Sequence, residues 1–282
     1  PETMALVAEP AIRAALLEDM PFGDVSCDAV ALRPRRARVR LIAKGDGVIC
    51  GLDVFERAFR LLDPTARLVA EVSEGDDVTA GQTLGAVEGD VRALLSAERV
   101  ALNFLQRMSG IATHTRAMAR MLEGTGIRLV DTRKTTPGLR VFEKEAARVG
   151  GAGNHRFCLS DGVMLKDNHL DAAGGIAAGV AAARERAPFV RKVEVEVETL
   201  EQVAEAVEAG ADIVMLDNMD HDAMARAVAL IDGRAEVEVS GNVDEGRVAE
   251  LADLGVDYVS SGALTHSSPI LDLSLKHLEY LD

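Results

Sequence analysis

Asp131-Thr-Arg-Lys-Thr-Thr-Pro-Gly-Leu-Arg140 is the stretch best equipped for chemistry. Arg133 and Lys134 stand beside hydroxyls just after the apolar-leaning run Ile127–Val130, which reads as a short buried strand. Pro137 and Gly138 close a turn, and residues 141–149 read as a helix. Cations and hydroxyls at the end of a buried strand are poor core material and good material for gripping an anion. Other apolar runs end in similar groups. Lys166, Asp167, Asn168 and His169 follow Val163–Leu165, and Glu196 lies near the end of Val193–Val197. Asp217 and Asn218 follow Ile213–Leu216, Ser240 and Gly241 follow Val237–Val239, and Ser261 and Gly262 come after Tyr258–Val259. Asn154-His155-Arg156 precedes the second run.

These strand ends form the kit of a phosphate-handling enzyme. Late Ser/Gly turns that lead into helices suit a phosphate held by backbone N–H groups. Glu196 and Asp217, acceptor-only when ionised, suit ribose hydroxyls or a Mg²⁺ shared with a diphosphate. Each has a plainer reading. Glu196 belongs to Val-Glu-Val-Glu-Val-Glu198, which also fits a wet strand face. Lys166 is either an ion-pair partner of Asp167 or a Schiff-base lysine. His114, His221 and His277 fall on presumed helices and read as structural or solvated, whereas His169 and His266 are better placed. Arg99, in mid-helix, reads on its own as a surface charge.

The elements that must position these groups follow from periodicity. Residues 5–19 predict an amphipathic helix with Leu6, Ile12, Leu16 and Leu17 on its apolar side. Arg33-Pro-Arg-Arg-Ala-Arg38 reads as a solvated loop. Residues 37–90 predict β structure with Gly turns, interrupted by a helix over 53–62. Gly75–Gln82 resembles the turn of small lipoyl-like barrels, but no lysine sits there to act as a swinging arm. A helix over 90–109 ends at Gly110. From residue 111 strand, turn and helix alternate, with helices at 141–149, 172–186, 199–209, 221–231 and 244–254. Such repetition implies a parallel sheet with helical crossovers, closing towards a barrel of six or seven units. A doubly wound sheet is the alternative, but no G-x-G-x-x-G follows the first strand of either region. Residues from Ile270 read as a terminal helix. The expected fold is α/β: an N-terminal α/β (α+β sandwich) domain, 1–110 with 269–282, and an incomplete TIM-like barrel, 111–268.

Composition narrows the function. A net charge of −15 argues against nucleic acid or anionic membrane as a partner, so cations for an anionic substrate must be gathered locally. No apolar run approaches the ~18 residues of a membrane span. The start Pro1-Glu-Thr-Met has no basic region followed by an apolar stretch, so no signal peptide is expected. Cys27, Cys50 and Cys158 lack metal-ligand spacing and fit a reducing cytoplasm.

Taken together, Asp131–Arg140, Gly150-Gly-Ala-Gly-Asn-His-Arg156 and Leu165-Lys-Asp-Asn-His169 resemble the quinolinate phosphoribosyltransferases. The resemblance runs on through Val193–Val197, Leu216-Asp-Asn218, Val239-Ser-Gly-Asn242 and Gly262-Ala-Leu-Thr-His266. It reaches back to Ser96-Ala-Glu-Arg99 and Met108–Thr113, and more loosely to Glu18-Asp19 and Gly23-Asp24. It implies a homodimer with active sites shared between subunits. It further implies that Arg133, His155, Arg156 and Lys166 receive quinolinate's two carboxylates, with Arg99 reaching in from the neighbouring subunit. Lys134, Glu196, Asp217, Ser240, Gly241, Gly262 and His266 would hold phosphoribosyl pyrophosphate and its Mg²⁺, and Lys134, Lys166, Glu196 and Asp217 would be the catalytic set. The implied reaction gives nicotinate mononucleotide, pyrophosphate and CO₂. Three departures from the family pattern stand out: Ala152 replaces a common Gly, Phe157-Cys158 replaces smaller or aliphatic residues, and Ser268 replaces a common Val. Rival readings are a phosphoribosyltransferase for another pyridine or aromatic acid, a Lys166 Schiff-base aldolase, and a non-catalytic phosphosugar sensor.

Overall fold

A computed structural model describes residues 2–30 and 33–281. Pro1 and Asp282, the outer bounds of the expected first domain, lie outside the described residues. The chain opens with α1 (Glu2–Asp19), α2 (Val25–Ala29), β1 (Arg36–Ala43), β2 (Gly47–Val48), α3 (Leu52–Arg60), β3 (Arg67–Ala70), β4 (Asp77–Val78), β5 (Thr83–Asp90) and the long α4 (Val91–Met121). Next come β6 (Arg128–Val130), α5 (Arg140–Gly150), β7 (Val163–Leu165), α6 (Asp167–Ala173), α7 (Ile176–Arg186), β8 (Val193–Val197), α8 (Leu200–Glu208) and β9 (Ile213–Asp217). The chain finishes with α9 (His221–Ile231), β10 (Glu236–Ser240), α10 (Glu245–Glu250), β11 (Tyr258–Ser260), α11 (Ala263–His266) and β12 (Leu273–Tyr280). These elements form two units: Pro1–Arg116 with Thr135–Gly151 and Ser268–Asp282, and Ala117–Lys134 with Ala152–Ser267.

The first unit is built on an antiparallel sheet of order β12-β1-β5-β3. On β1, Ala37, Val39, Leu41 and Ala43 are buried in strict alternation, so one face meets the core. Phe55 and Phe59 of α3 are fully buried and meet edge to face, ring centroids 5.1 Å apart. Each large apolar side chain buried this way contributes ~1.5–3 kcal/mol.

Several sequence expectations fail here for local reasons. The expected terminal helix is the strand β12, antiparallel to β1. Leu271, Leu273 and Leu275 are buried alternately, a period of two rather than 3.6, and His277 lies on this strand rather than on a helix. Gly110 does not stop α4. A Cβ there would lie 2.0 Å from the Pro269 carbonyl oxygen, so the glycine permits a close approach. On α1, Ile12 and Leu16 are buried, but Leu6 and Leu17 are 76% and 65% exposed and leave the expected apolar side. The basic segment is only partly a loop, since Arg36 and Arg38 belong to β1.

The second unit holds a parallel sheet of order β6-β11-β10-β9-β8-β7. The buried valines Val193, Val195, Val197, Val214, Val237 and Val239 suit a parallel sheet. Among the described residues the sheet does not close between β6 and β7. An isolated parallel bridge, Val130 to Gly153, extends the β6 edge. The result is the open six-stranded form of a barrel. The helix expected over 172–186 is two helices, broken where Gly174 and Gly175 take φ of 88° and 123°. The helix expected over 244–254 is the shorter α10. Thr199 and Asp220 cap α8 and α9 by accepting from Gln202 and Ala223 backbone N–H groups.

Candidate active site

A cavity of about 410 Å³ opens in the second unit at the carboxyl ends of the strands. The loop after β6 brings Thr132, Arg133 and Lys134 to it, and the segment after Gly153 brings His155 and Arg156. Lys166 follows β7, Glu196 lies on β8, Asp217 ends β9, and Ser240 and Gly241 close β10. Nine of the expected site residues therefore line one space. Gly262 and His266 lie alongside: a Cβ on Gly262 would be 2.7 Å from Lys134 Cδ and 3.0 Å from His266 Nε2. Arg99 is placed differently. It lines a cavity of about 240 Å³ in the first unit with Glu18, Asp19, Asn103 and Arg107.

Backbone and buried polar groups fix the loops. Buried Asp131 accepts the His155 backbone N–H and the Asn154 side-chain amide, each at 2.8 Å. Thr265 Oγ1 donates to the Lys134 carbonyl at 2.8 Å. Gly241 takes φ of 94°, and a Cβ there would lie 2.4 Å from Asn218 Oδ1, so this turn admits little but glycine. Ala152 is not among the positive-φ residues; Gly151, at φ 113°, makes the helix-ending turn instead.

Charge is tightly balanced. Lys166 Nζ pairs with Glu196 Oε2, not with Asp167. Arg156 donates to the Gly162 carbonyl at 3.1 Å and contacts Met164 Sδ at 3.4 Å. Burial, and then the neighbouring Arg133, lower its pKa, while Glu194 opposes them. His169 accepts from the Lys166 N–H at 3.1 Å and so braces the start of α6. Glu196 and Asp217 lie on adjacent strands and face one cavity. That donor set fits a Mg²⁺ taken with substrate phosphates, which uses one or two carboxylates.

Sequence reasoning missed Glu194 and Glu238. They are 4% and 2% exposed, and each places Oε2 3.3 Å from His155 Nε2. Burial alone would lower the His155 pKa, but contact with both carboxylates overrides it and pushes the value up to about 10. Burial likewise raises Glu194. The Arg156 backbone N–H donates to His155 Nδ1 at 2.7 Å, which requires a lone pair on that nitrogen. That contact places the ring's own N–H on Nε2, between the two carboxylates. The Val-Glu alternation on both strands was the available signal. In a sheet covered on both faces, glutamates at every second position must place some carboxylates inside.

Known proteins match along nearly the full length. Models of the N-terminal and C-terminal domains of quinolinate phosphoribosyl transferase match residues 24–109 and 111–276. The chain belongs to the quinolinate phosphoribosyl transferase family. A probable nicotinate-nucleotide pyrophosphorylase [carboxylating] of Synechocystis sp. is 44% identical, over 96% of this chain and 92% of the relative. Quinolinate phosphoribosyltransferase [decarboxylating] 1b of Nicotiana tabacum is 41% identical, over 94% and 81%. The crystal structure of NadC from Streptococcus pyogenes superimposes with a TM-score of 0.94 at 49% identity, covering 98% of this chain and 97% of that one. Membership in this family means that the chain is a phosphoribosyltransferase, an enzyme of the pentosyltransferase class.

Proposed function

We propose that the chain transfers the phosphoribosyl group of phosphoribosyl pyrophosphate to quinolinate with loss of CO₂, giving nicotinate mononucleotide and pyrophosphate in NAD biosynthesis. The observation that carries this reading is the gathering of Arg133, Lys134, Arg156 and Lys166 in one cavity that also holds Glu196, Asp217 and the Ser240-Gly241 turn. Two polyanions repel in water. Four cations in one cavity offset that repulsion and hold the reactants in line.

Arg133, Arg156 and Lys166, with His155 behind them, receive the two quinolinate carboxylates. More cations are present than one carboxylate needs, which favours a dicarboxylate over nicotinate. Lys134, Ser240, Gly241, Gly262 and His266 take the phosphate groups, and Glu196 and Asp217 take the ribose hydroxyls. Those two carboxylates would also hold a Mg²⁺, which when bound supplies Lewis-acid help to the leaving pyrophosphate. The C1–pyrophosphate bond breaks as the pyridine nitrogen donates its electron pair to C1. The resulting pyridinium accepts the pair released when the C2–carboxylate bond breaks, and a proton then fills C2. The protein supplies no strong base; it orients and neutralises. Lys166 Nζ is engaged by Glu196, which leaves it poorly placed as the open amine of a Schiff-base aldolase.

The proposal extends to a homodimer in which Arg99 serves the neighbouring subunit's site, as the resemblance implies. It also extends to a reducing, cytoplasmic setting, in keeping with free thiols at Cys27, Cys50 and Cys158. No helix among the described residues is long and apolar enough to cross a membrane. The test is to incubate the protein with quinolinate, phosphoribosyl pyrophosphate and Mg²⁺. Nicotinate mononucleotide should form only with all components present. Product from nicotinate but not from quinolinate would refute the substrate assignment.

A further inference from the structure

The steps above give no part to Glu194 or Glu238. Glu194 lies on β8 and Glu238 on β10, the strands flanking β9. His155, between the two carboxylates, belongs to the segment that leaves the bridge at Gly153 on the β6 edge. That edge borders the place where the sheet does not close. The trio therefore ties a segment at the open side of the sheet to strands in its middle.

We infer that Glu194 and Glu238 are positioning residues for the anion-binding segment Asn154–Arg156: together they seat the His155 ring and so fix Arg156 against the acid group of the substrate. The identity of that acid rests on the quinolinate reading.

Three observations carry the inference. The first is the contact chain. The carboxylates hold Nε2 at 3.3 Å, Nδ1 accepts the Arg156 N–H at 2.7 Å, and Asp131 holds the His155 N–H at 2.8 Å. The ring is gripped at both nitrogens, and one grip is on the backbone of Arg156 itself. The second is burial without full satisfaction. Oε1 of both glutamates is buried and has no hydrogen-bond partner. Apolar side chains would pack there more favourably, so a purely structural role is a poor account of two carboxylates. The third is charge. Burial and then Arg133 disfavour Arg156 as a cation, and Glu194 supports it, so Glu194 also steadies the Arg156 guanidinium beside its neighbour. The three side chains bring ligand atoms within 4.8 Å of one another, which invites a metal reading. Ligation through Nε2 needs its lone pair, however, and the donor facing Nδ1 puts the ring proton on Nε2.

The test uses the full chain with Glu194→Gln, Glu238→Gln and the double variant, which keep shape and remove charge. We expect the quinolinate KM of the double variant to rise about tenfold or more, with the phosphoribosyl pyrophosphate KM within about twofold of wild type and Tm unchanged or higher. Glu238→Asp, which restores the charge, should recover part of the loss. A quinolinate KM close to wild type would overturn the inference. So would equal rises in both KM values with a fall in Tm, or stoichiometric Zn²⁺ uptake by the wild type that Glu238→Gln abolishes. If the double variant does not fold, Glu238→Gln alone is judged by the same criteria. A wild-type protein that makes no nicotinate mononucleotide defeats the functional reading instead; an active wild type with unaffected variants defeats only this inference.

Discussion

Replacing Arg156 by alanine should separate binding from folding. Its guanidinium holds the Gly162 carbonyl at 3.1 Å and rests on Met164 Sδ at 3.4 Å. It is partly buried, and burial and Arg133 both disfavour its charge. Removing it deletes one charged hydrogen-bonding group from the quinolinate pocket, worth ~1.5–3 kcal/mol. That translates into a quinolinate kcat/KM lower by about 10- to 150-fold. Removing it also relieves the repulsion with Arg133, so the fold should lose little. The assay is steady-state formation of nicotinate mononucleotide with each substrate varied in turn, paired with a thermal melt. The phosphoribosyl pyrophosphate KM should stay nearly constant while the quinolinate KM rises. Normal quinolinate kinetics, or a Tm lower by about 5 °C or more, a shift worth roughly 3 kcal/mol at this chain length, would refute the reasoning.

Other expectations test separate parts of the site and fold. Gly241→Ala places a Cβ 2.4 Å from Asn218 Oδ1 at a φ of +94°, a strain of ~1–3 kcal/mol. Titration of both substrates should show the phosphoribosyl pyrophosphate KM rising more than that of quinolinate. Asp24 caps α2, accepts from Ser96 Oγ at 2.8 Å and from Cys27 Sγ at 3.0 Å, and Asp24→Ala should cost ~0.5–2 kcal/mol by denaturant melt. Hydrogen bonds, led by that from Cys27, lower its pKa from 3.8 to about 2. Its contribution is thus present above about pH 3.8 and lost as pH falls through about 2; acid titrations of wild type and Asp24→Ala should converge at the low end. Mixed dimers of inactive Arg99→Ala and Lys166→Ala chains should regain activity, and mixed dimers that form yet stay inactive would remove Arg99 from a shared site.

Much of the second unit was legible because parallel strands put their chemistry at one end. Arg133, Lys166, Glu196, Asp217 and Ser240 each follow or end an apolar run, and a parallel sheet delivers all such positions to one face. What escaped depends on partners distant in sequence. Residues 273–280 form a strand because β1, more than two hundred residues earlier, offers an edge. The period-two spacing of Leu271, Leu273 and Leu275 was the one local sign of a strand, and it is too short to settle the matter without that partner. Gly110 has the look of a helix stop, yet it makes room for the Pro269 carbonyl. In Val-Glu-Val-Glu-Val-Glu198 the alternation does not reveal which glutamates face inward. Glu194 and Glu196 share a face by period, and only the fold shows one against His155 and the other against Lys166. Leu6 and Leu17 fit the helical period of α1 but fall outside its buried stripe, because a hydrophobic pattern gives the phase of a face and not its width.

The central claim is that one cation-lined cavity drives two mutually repelling anions into a reaction that ends in decarboxylation. Quinolinate labelled at its 2-carboxylate measures this most directly. The account predicts one labelled CO₂ for each pyrophosphate released, with neither formed when a substrate is omitted. Release of pyrophosphate without labelled CO₂, or no release of either from a folded protein supplied with Mg²⁺, would contradict it.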